Sequence, residues 1–192
     1  MKSNVCILNG NPGEMEAILN EVEKCARYNE LSDINTLHVR LLAEELISML
    51  PMLLDHCDGK FWMENDGNKY ELHAAIATRS SMTEREKLLS IATSGKNEAA
   101  HGIMGKIRVA IDAMFEEKPL IGDFYVHGCV DGSISQAWSL YNYMTYVKAE
   151  EESARKAEEW DELERSIVAK IADDVLVSIK GGKVDIILKK EF

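Results

Sequence analysis

Residues 60–78 read Lys60-Phe61-Trp62-Met63-Glu64-Asn65-Asp66-Gly67-Asn68-Lys69-Tyr70-Glu71-Leu72-His73-Ala74-Ala75-Ile76-Ala77-Thr78. Two strand-like runs, residues 60–64 and 69–78, flank Asn65-Asp66-Gly67-Asn68, residue types that accept positive φ in a tight turn. On the second run Tyr70, Leu72, Ala74 and Ile76 share one face, and Glu71 and His73 lie on the other. The stretch therefore predicts a β-hairpin with one face on a core and the other polar. What covers the apolar face must come from the flanking sequence.

Upstream, residues 3–8 read as a short strand closed by the turn cluster at residues 9–13. Met15, Ile18, Leu19, Val22, Cys25 and Ala26 follow one helical face that closes near Asn29. A second helix is expected from about Asn35 to His56, with Leu42, Leu46, Met49, Leu50, Leu53 and Leu54 in its apolar stripe. Pro51 removes a backbone donor to Ile47, which predicts a kink or break.

Downstream, Ser81 and Glu84 form a capping box for a helix ending near Ala92. A longer helix spans residues 102–117, with Ile107, Ala110, Ile111 and Met114 inward, and Pro119 stops it. Residues 121–133 read as irregular or weakly strand-like, and residues 135–172 as two helical stretches. A second hairpin, residues 175–179 and 184–188 around Gly181-Gly182, closes the chain. The expected fold is a single α+β domain over residues 1–192. It is a two-layer α/β sandwich with a mixed, mostly antiparallel sheet and a helical insertion or cover at about 123–164.

The chain has 192 residues, enough for one well-filled domain, and a net charge of −11. So acidic a chain has no general attraction to nucleic acid or to an anionic membrane. No apolar run approaches the length of a bilayer span, and the first residues lack a signal-peptide layout. Cys6, Cys25, Cys57 and Cys129 are scattered, without zinc-ligand spacing, and are expected to be reduced thiols. These features together predict a cytoplasmic protein. Within residues 150–164, eight acidic residues against two basic ones give a net −6 on a helical stretch. That stretch is either a solvated face or a docking surface for a basic protein partner. Trp138, Tyr141, Tyr143 and Tyr146 form an aromatic cluster, which is core, a ligand wall or an interface, including that of a homodimer.

The run from Arg40 to Leu50, followed by the hairpin, resembles the first nucleotide-binding helix of the GHKL, or histidine-kinase-like, ATPases. That superfamily includes histidine kinases, anti-sigma-factor kinases, gyrase-type ATPases and Hsp90-like chaperones. The likeness continues at Thr93-Ser94-Gly95-Lys96-Asn97 and His101-Gly102-Ile103-Met104-Gly105-Lys106-Ile107, similar to the family's second glycine box, and at the closing helix and hairpin. It implies ATP or ADP binding, with Gly95, Lys96, Asn97, His101, Gly102, Gly105 and Lys106 around the phosphates. Glu45 occupies the position of the family's general base.

Two departures bear on catalysis. Met49 stands where the family places the Asn that binds Mg²⁺, and a thioether does not replace an oxygen ligand. Residues 77–81, Ala-Thr-Arg-Ser-Ser, replace the family's Asp-x-Gly-x-Gly adenine-reading motif. The expectation is an atypical or weak nucleotide-binding regulatory protein, with no metal site and without ordinary Mg-ATP hydrolysis. The alternatives are an active ATPase or anti-sigma-type kinase, and an unrelated α+β interaction module. His73, on the polar face of the first hairpin, is a further candidate for phosphate contact or pH sensing.

Overall fold

The structure, a computed structural model, describes residues 1–9, 11–54, 58–77, 102–115, 125–130, 133–149 and 166–192. Its elements in chain order are β1 (Cys6–Leu8), α1 (Pro12–Tyr28), α2 (Asp33–Leu53), β2 (Gly59–Asp66), β3 (Lys69–Ala77), α3 (Gly102–Phe115), β4 (Tyr125–Val130), β5 (Ser133–Ser139), α4 (Leu140–Ala149), α5 (Ile167–Ile171), β6 (Asp174–Lys180) and β7 (Lys183–Glu191). The strands form one sheet in the order β1-β2-β3-β7-β6-β5-β4. Every pairing within it is antiparallel, so the sheet is not mixed as the sequence had suggested.

Both expected hairpins are present. The strands of the first run further into the turn than the sequence indicated, leaving Gly67-Asn68 as the connection. Gly67 takes φ +59, as the first central position of a type II′ turn requires. Gly181 and Gly182, with φ of +57 and +75, supply the two positive angles of a type I′ turn between β6 and β7. The long pairing of β3 with β7, from Lys69↔Glu191 to Ala77↔Lys183, joins the two hairpins through the centre of the sheet.

Alternation along these strands builds the two-layer sandwich. Phe61, Met63, Tyr70, Leu72, Ala74, Ile76, Val175, Val177, Val184, Ile186 and Leu188 are buried and join one hydrophobic cluster with the helices. To that cluster α1 contributes Ile18, Leu19 and Val22, α2 Leu42, Leu46 and Leu50, α3 Ile107 and Ile111, and α4 Leu140 and Val147. None of the intervening strand residues joins it, so no described helix packs on the other face of β2, β3, β7 and β6.

The helix ends are set by local chemistry. Helix α1 closes with the Leu31 N–H donating to Ala26 O and the Glu30 N–H to Arg27 O, which places Glu30 at φ 57. The Ser32 hydroxyl caps α2 by accepting from the Asn35 N–H. Pro51 does not break α2 where expected; the helix passes through it and stops at Leu53, with the Leu54 N–H donating to Leu50 O. Two residues from the end, the missing N–H of Pro51 costs a single hydrogen bond.

The expected helical cover at 123–164 is corrected over its first part: β4 and β5 form a hairpin that extends the sheet beyond β6. The strand signal was weak because Ser-Ile-Ser-Gln-Ala-Trp-Ser alternates mostly small and polar residues. Strand β5 also passes directly into α4, so Trp138 looked like part of the following helix. The Asp174 carboxylate fixes this corner, accepting from the Ser139 hydroxyl and from the N–H groups of Tyr141 and Val175. The Ser139 hydroxyl in turn caps α4 by accepting from the Asn142 N–H. The capping box at Ser81 and the acidic stretch at 150–164 lie outside the described residues. No described helix is long and apolar enough to cross a membrane.

Candidate functional site

Two places carry the residues of interest, one on each side of the sheet. On the helical side, α2 and α3 pack against each other. Glu45 is half-buried on α2 and makes no hydrogen bond or ion pair with a described residue, whereas Glu44 beside it is exposed. Met49 is 3% exposed and belongs to the core. Helix α3 starts at Gly102, as the sequence indicated, and Gly105 is buried in its first turn. Lys106 is half-buried, with Nζ 5.3 Å from the centroid of the Tyr143 ring on α4. Gly95, Lys96, Asn97 and His101, together with Arg79, Ser80 and Ser81, lie outside the described residues.

The aromatic cluster divides. Trp138 is 2% and Tyr143 7% exposed, with ring centroids 6.0 Å apart, so these two belong to the core rather than to an interface. Tyr146 packs partly buried against the same core, and Tyr141 alone is exposed. The hydrophobic faces of β5 and α4 meet here, which takes most of the cluster out of reach of a partner. Cys6 is half-buried and Cys25 buried, neither in a disulfide; burial pushes both thiols above their ordinary range.

On the opposite side, the open face of the sheet gathers Trp62, Glu64, Glu71, His73, Asp185, Ile187 and Lys189. Hairpin register puts Trp62 directly across from His73, and their rings stack with centroids 4.8 Å apart and planes 4° from parallel. Lys2 Nζ sits 4.4 Å from the Trp62 centroid and also donates to Glu64 Oε1 at 2.9 Å. The Trp62 indole N–H donates to the same oxygen at 2.7 Å. These two hydrogen bonds, from Lys2 first and then Trp62, hold the Glu64 carboxyl below the usual range.

Burial favours the neutral form of His73. Its side chain is 12% exposed, and burial lowers its pKa against the opposing pull of Glu64 and Glu71. Nε2 lies 3.4 Å from Glu71 Oε2, within ion-pair distance but without the geometry of a hydrogen bond. Lys189 completes the row, 3.0 Å from the other oxygen of Glu71.

Beyond His73, a cleft of about 140 Å³ is lined by Trp62, His73, Ser178, Lys180, Asp185 and Ile187, with Ala74 and Ile186 contributing from the strands. It exists because the row across the sheet from Ala75 through Asp185 to Ser178 carries small side chains on both sides of the aspartate. Burial raises the Asp185 pKa, only partly opposed by Lys183, His73 and Lys180. Neither Asp185 nor Ser178 forms a side-chain hydrogen bond or ion pair with a described residue. Trp62 faces His73 because the connection is Gly67-Asn68 alone; the turn at residues 65–68 that the sequence indicates would set Trp62 opposite Glu71 instead. Asp185 was not within reach of the sequence, because its place depends on the β3–β7 pairing.

Among the described residues, no group of three or more His, Cys, Asp or Glu side chains is arranged to hold a metal ion. Comparison with known proteins finds no matching family model, curated protein or solved structure.

Proposed function

We infer that the protein is a regulatory binding protein of histidine-kinase-like type, which takes ATP or ADP at the amino end of α3 without ordinary Mg-ATP hydrolysis. The observation that carries this reading is Met49, sunk in the core on the helix where the resembling family needs an oxygen ligand. Even a rotated side chain there would offer only a soft sulfur to the hard cation. Helix α3 supports the nucleotide half, because Gly102 opens it and its first-turn N–H groups have no partner within the helix. Glu45, half-buried on the neighbouring helix, would then stand near the ligand without a metal to act with.

A second reading is favoured by Lys106. Its ammonium is already placed over the Tyr143 ring, which competes with a phosphate for the same charge. On that reading the chain is a protein-interaction module, and the acidic residues 150–164 dock a basic partner.

Thermal unfolding with ATP, ADP or neither, each with and without Mg²⁺, separates the two. A nucleotide present at a hundredfold excess over its Kd stabilises the native state by about 2.7 kcal/mol. The nucleotide-binding reading expects a rise in Tm that does not need Mg²⁺, no phosphate release, and loss of the rise in Lys106→Glu. No rise at millimolar nucleotide overturns it in favour of the interaction module. Mg²⁺-dependent release of phosphate would instead establish an active ATPase.

A further inference from the structure

The cleft beyond His73 lies on the side of the sheet away from α2 and α3, and it has unmet chemistry of its own. Asp185 brings a half-buried carboxylate with no hydrogen bond and no cation within ion-pair distance among the described residues. Ser178, its cross-strand neighbour, brings a hydroxyl with no hydrogen-bond partner among the described residues. One face of the His73 imidazole lies on Trp62, and the other is turned towards β7, where Ile187 adds an apolar wall. A carboxylate in such a place is costly to keep ionised unless something supplies positive charge.

We propose that this cleft binds a guanidinium group, held by Asp185 and Ser178 at its edge and by the His73 ring at its face. A guanidinium matches a carboxylate with two parallel N–H donors and leaves further donors for a hydroxyl. It is planar and weakly hydrated, so it stacks on a flat ring and loses little on entering an apolar cleft. An ammonium is strongly hydrated and gains nothing from the ring's flatness. A space of about 140 Å³ is close to the size of cavity that accepts a benzene-sized molecule, ample for a planar four-atom group and its first methylenes. An anion would face Asp185 directly. Lys180, which lines the cleft, and Lys183, two residues before Asp185, are both exposed, so water screens their repulsion of a bound cation. The net charge of −11 favours the approach of a cation from a distance.

The shared chemistry could reach the cleft as free arginine or as an arginine side chain in a peptide. The test titrates the full chain, ¹⁵N-labelled, with L-arginine, with capped Gly-Arg-Gly, and with the citrulline and lysine counterparts of each. The expected result is that the amide signals of Ser178 and Asp185 move with at least one arginine form and not with its citrulline counterpart, which has the same shape without the charge. Saturation by free arginine identifies a small-molecule ligand, and saturation by the capped tripeptide alone identifies a protein segment. Asp185→Asn should weaken binding at least tenfold, and Ser178→Leu, which fills the cleft, should abolish it. Binding of citrulline or lysine as tight as that of arginine would overturn the proposal. So would unchanged affinity in both variants, or no response to any arginine form at 20-fold the concentration range of typical metabolites, on the order of tens of millimolar. Nucleotide binding on the helical side has no bearing on either result.

Discussion

At the scale of single residues, the stacked Trp62–His73 pair has a consequence for acid stability. Burial holds the folded-state pKa of His73 below the value of about 6.5 that it has in an unfolded chain. Above that pH both states are neutral at this residue and nothing is lost. As pH falls below about 6.5 the unfolded chain binds the proton first, so stability declines until the folded form also titrates. His73→Phe keeps a flat ring against Trp62 and removes the proton site. Urea midpoints at a series of pH values from 7.5 to 5 should therefore fall less steeply for the variant than for the natural chain. Glu30 provides a second test. It holds a left-handed backbone angle at the close of α1, where glycine has no Cβ to clash. Glu30→Gly should raise the unfolding free energy by about 1 kcal/mol, read from the urea midpoint at constant m. The sequence could locate His73 on a polar strand face, because alternation with Tyr70 and Leu72 is written in the chain. It could not reveal that burial disfavours the charged ring, since that depends on β7 lying alongside.

At the scale of elements, legibility followed the strength of the local pattern. The hairpins β2–β3 and β6–β7 have glycine turns and clean alternation, and both are where the sequence put them. Helices α1, α2 and α3 carry apolar stripes at helical spacing and were equally plain. The hairpin β4–β5 was legible only in part: Asp131-Gly132 stands between its strands and residues 121–133 read as weakly strand-like, but β5 mixes small and polar residues and ends in a helix cap instead of a loop. Its neighbour β6 holds it in place through Asp174, a contact between residues 35 apart from Ser139 that no local window contains. The start of β2 carries a different constraint. A Cβ on Gly59 would come within 2.4 Å of the Ala75 carbonyl oxygen and 2.6 Å of Ile76 Cδ1. The backbone oxygen cannot give way without disturbing β3, so Gly59→Ala should cost about 1–3 kcal/mol in chemical denaturation. An unchanged midpoint would mean that the two strands separate more easily here than their register implies.

At the scale of the whole molecule, the candidate sites divide by the range of the contacts that make them. The α2–α3 surface was approached through short motifs, and the structure adds that Met49 is core and that Lys106 reaches Tyr143. The Asp185 cleft needs four strands from two distant parts of the chain, and no motif announces it. The same geometry governs the order of events during synthesis. Strand β3 has β2 as a partner almost as soon as it is made, but its other edge waits for residues 183–191. A chain emerging from the ribosome must therefore carry an unpaired central strand edge while more than a hundred further residues are added. Such an edge is a template for pairing with other chains. The hydrophobic face of β3 can be sheltered meanwhile by α1 and α2, which precede it, yet its row of backbone donors and acceptors cannot. Truncation anywhere before β7 should thus release a species that associates with itself through β3, and the final strand acts as the seal on the growing polypeptide.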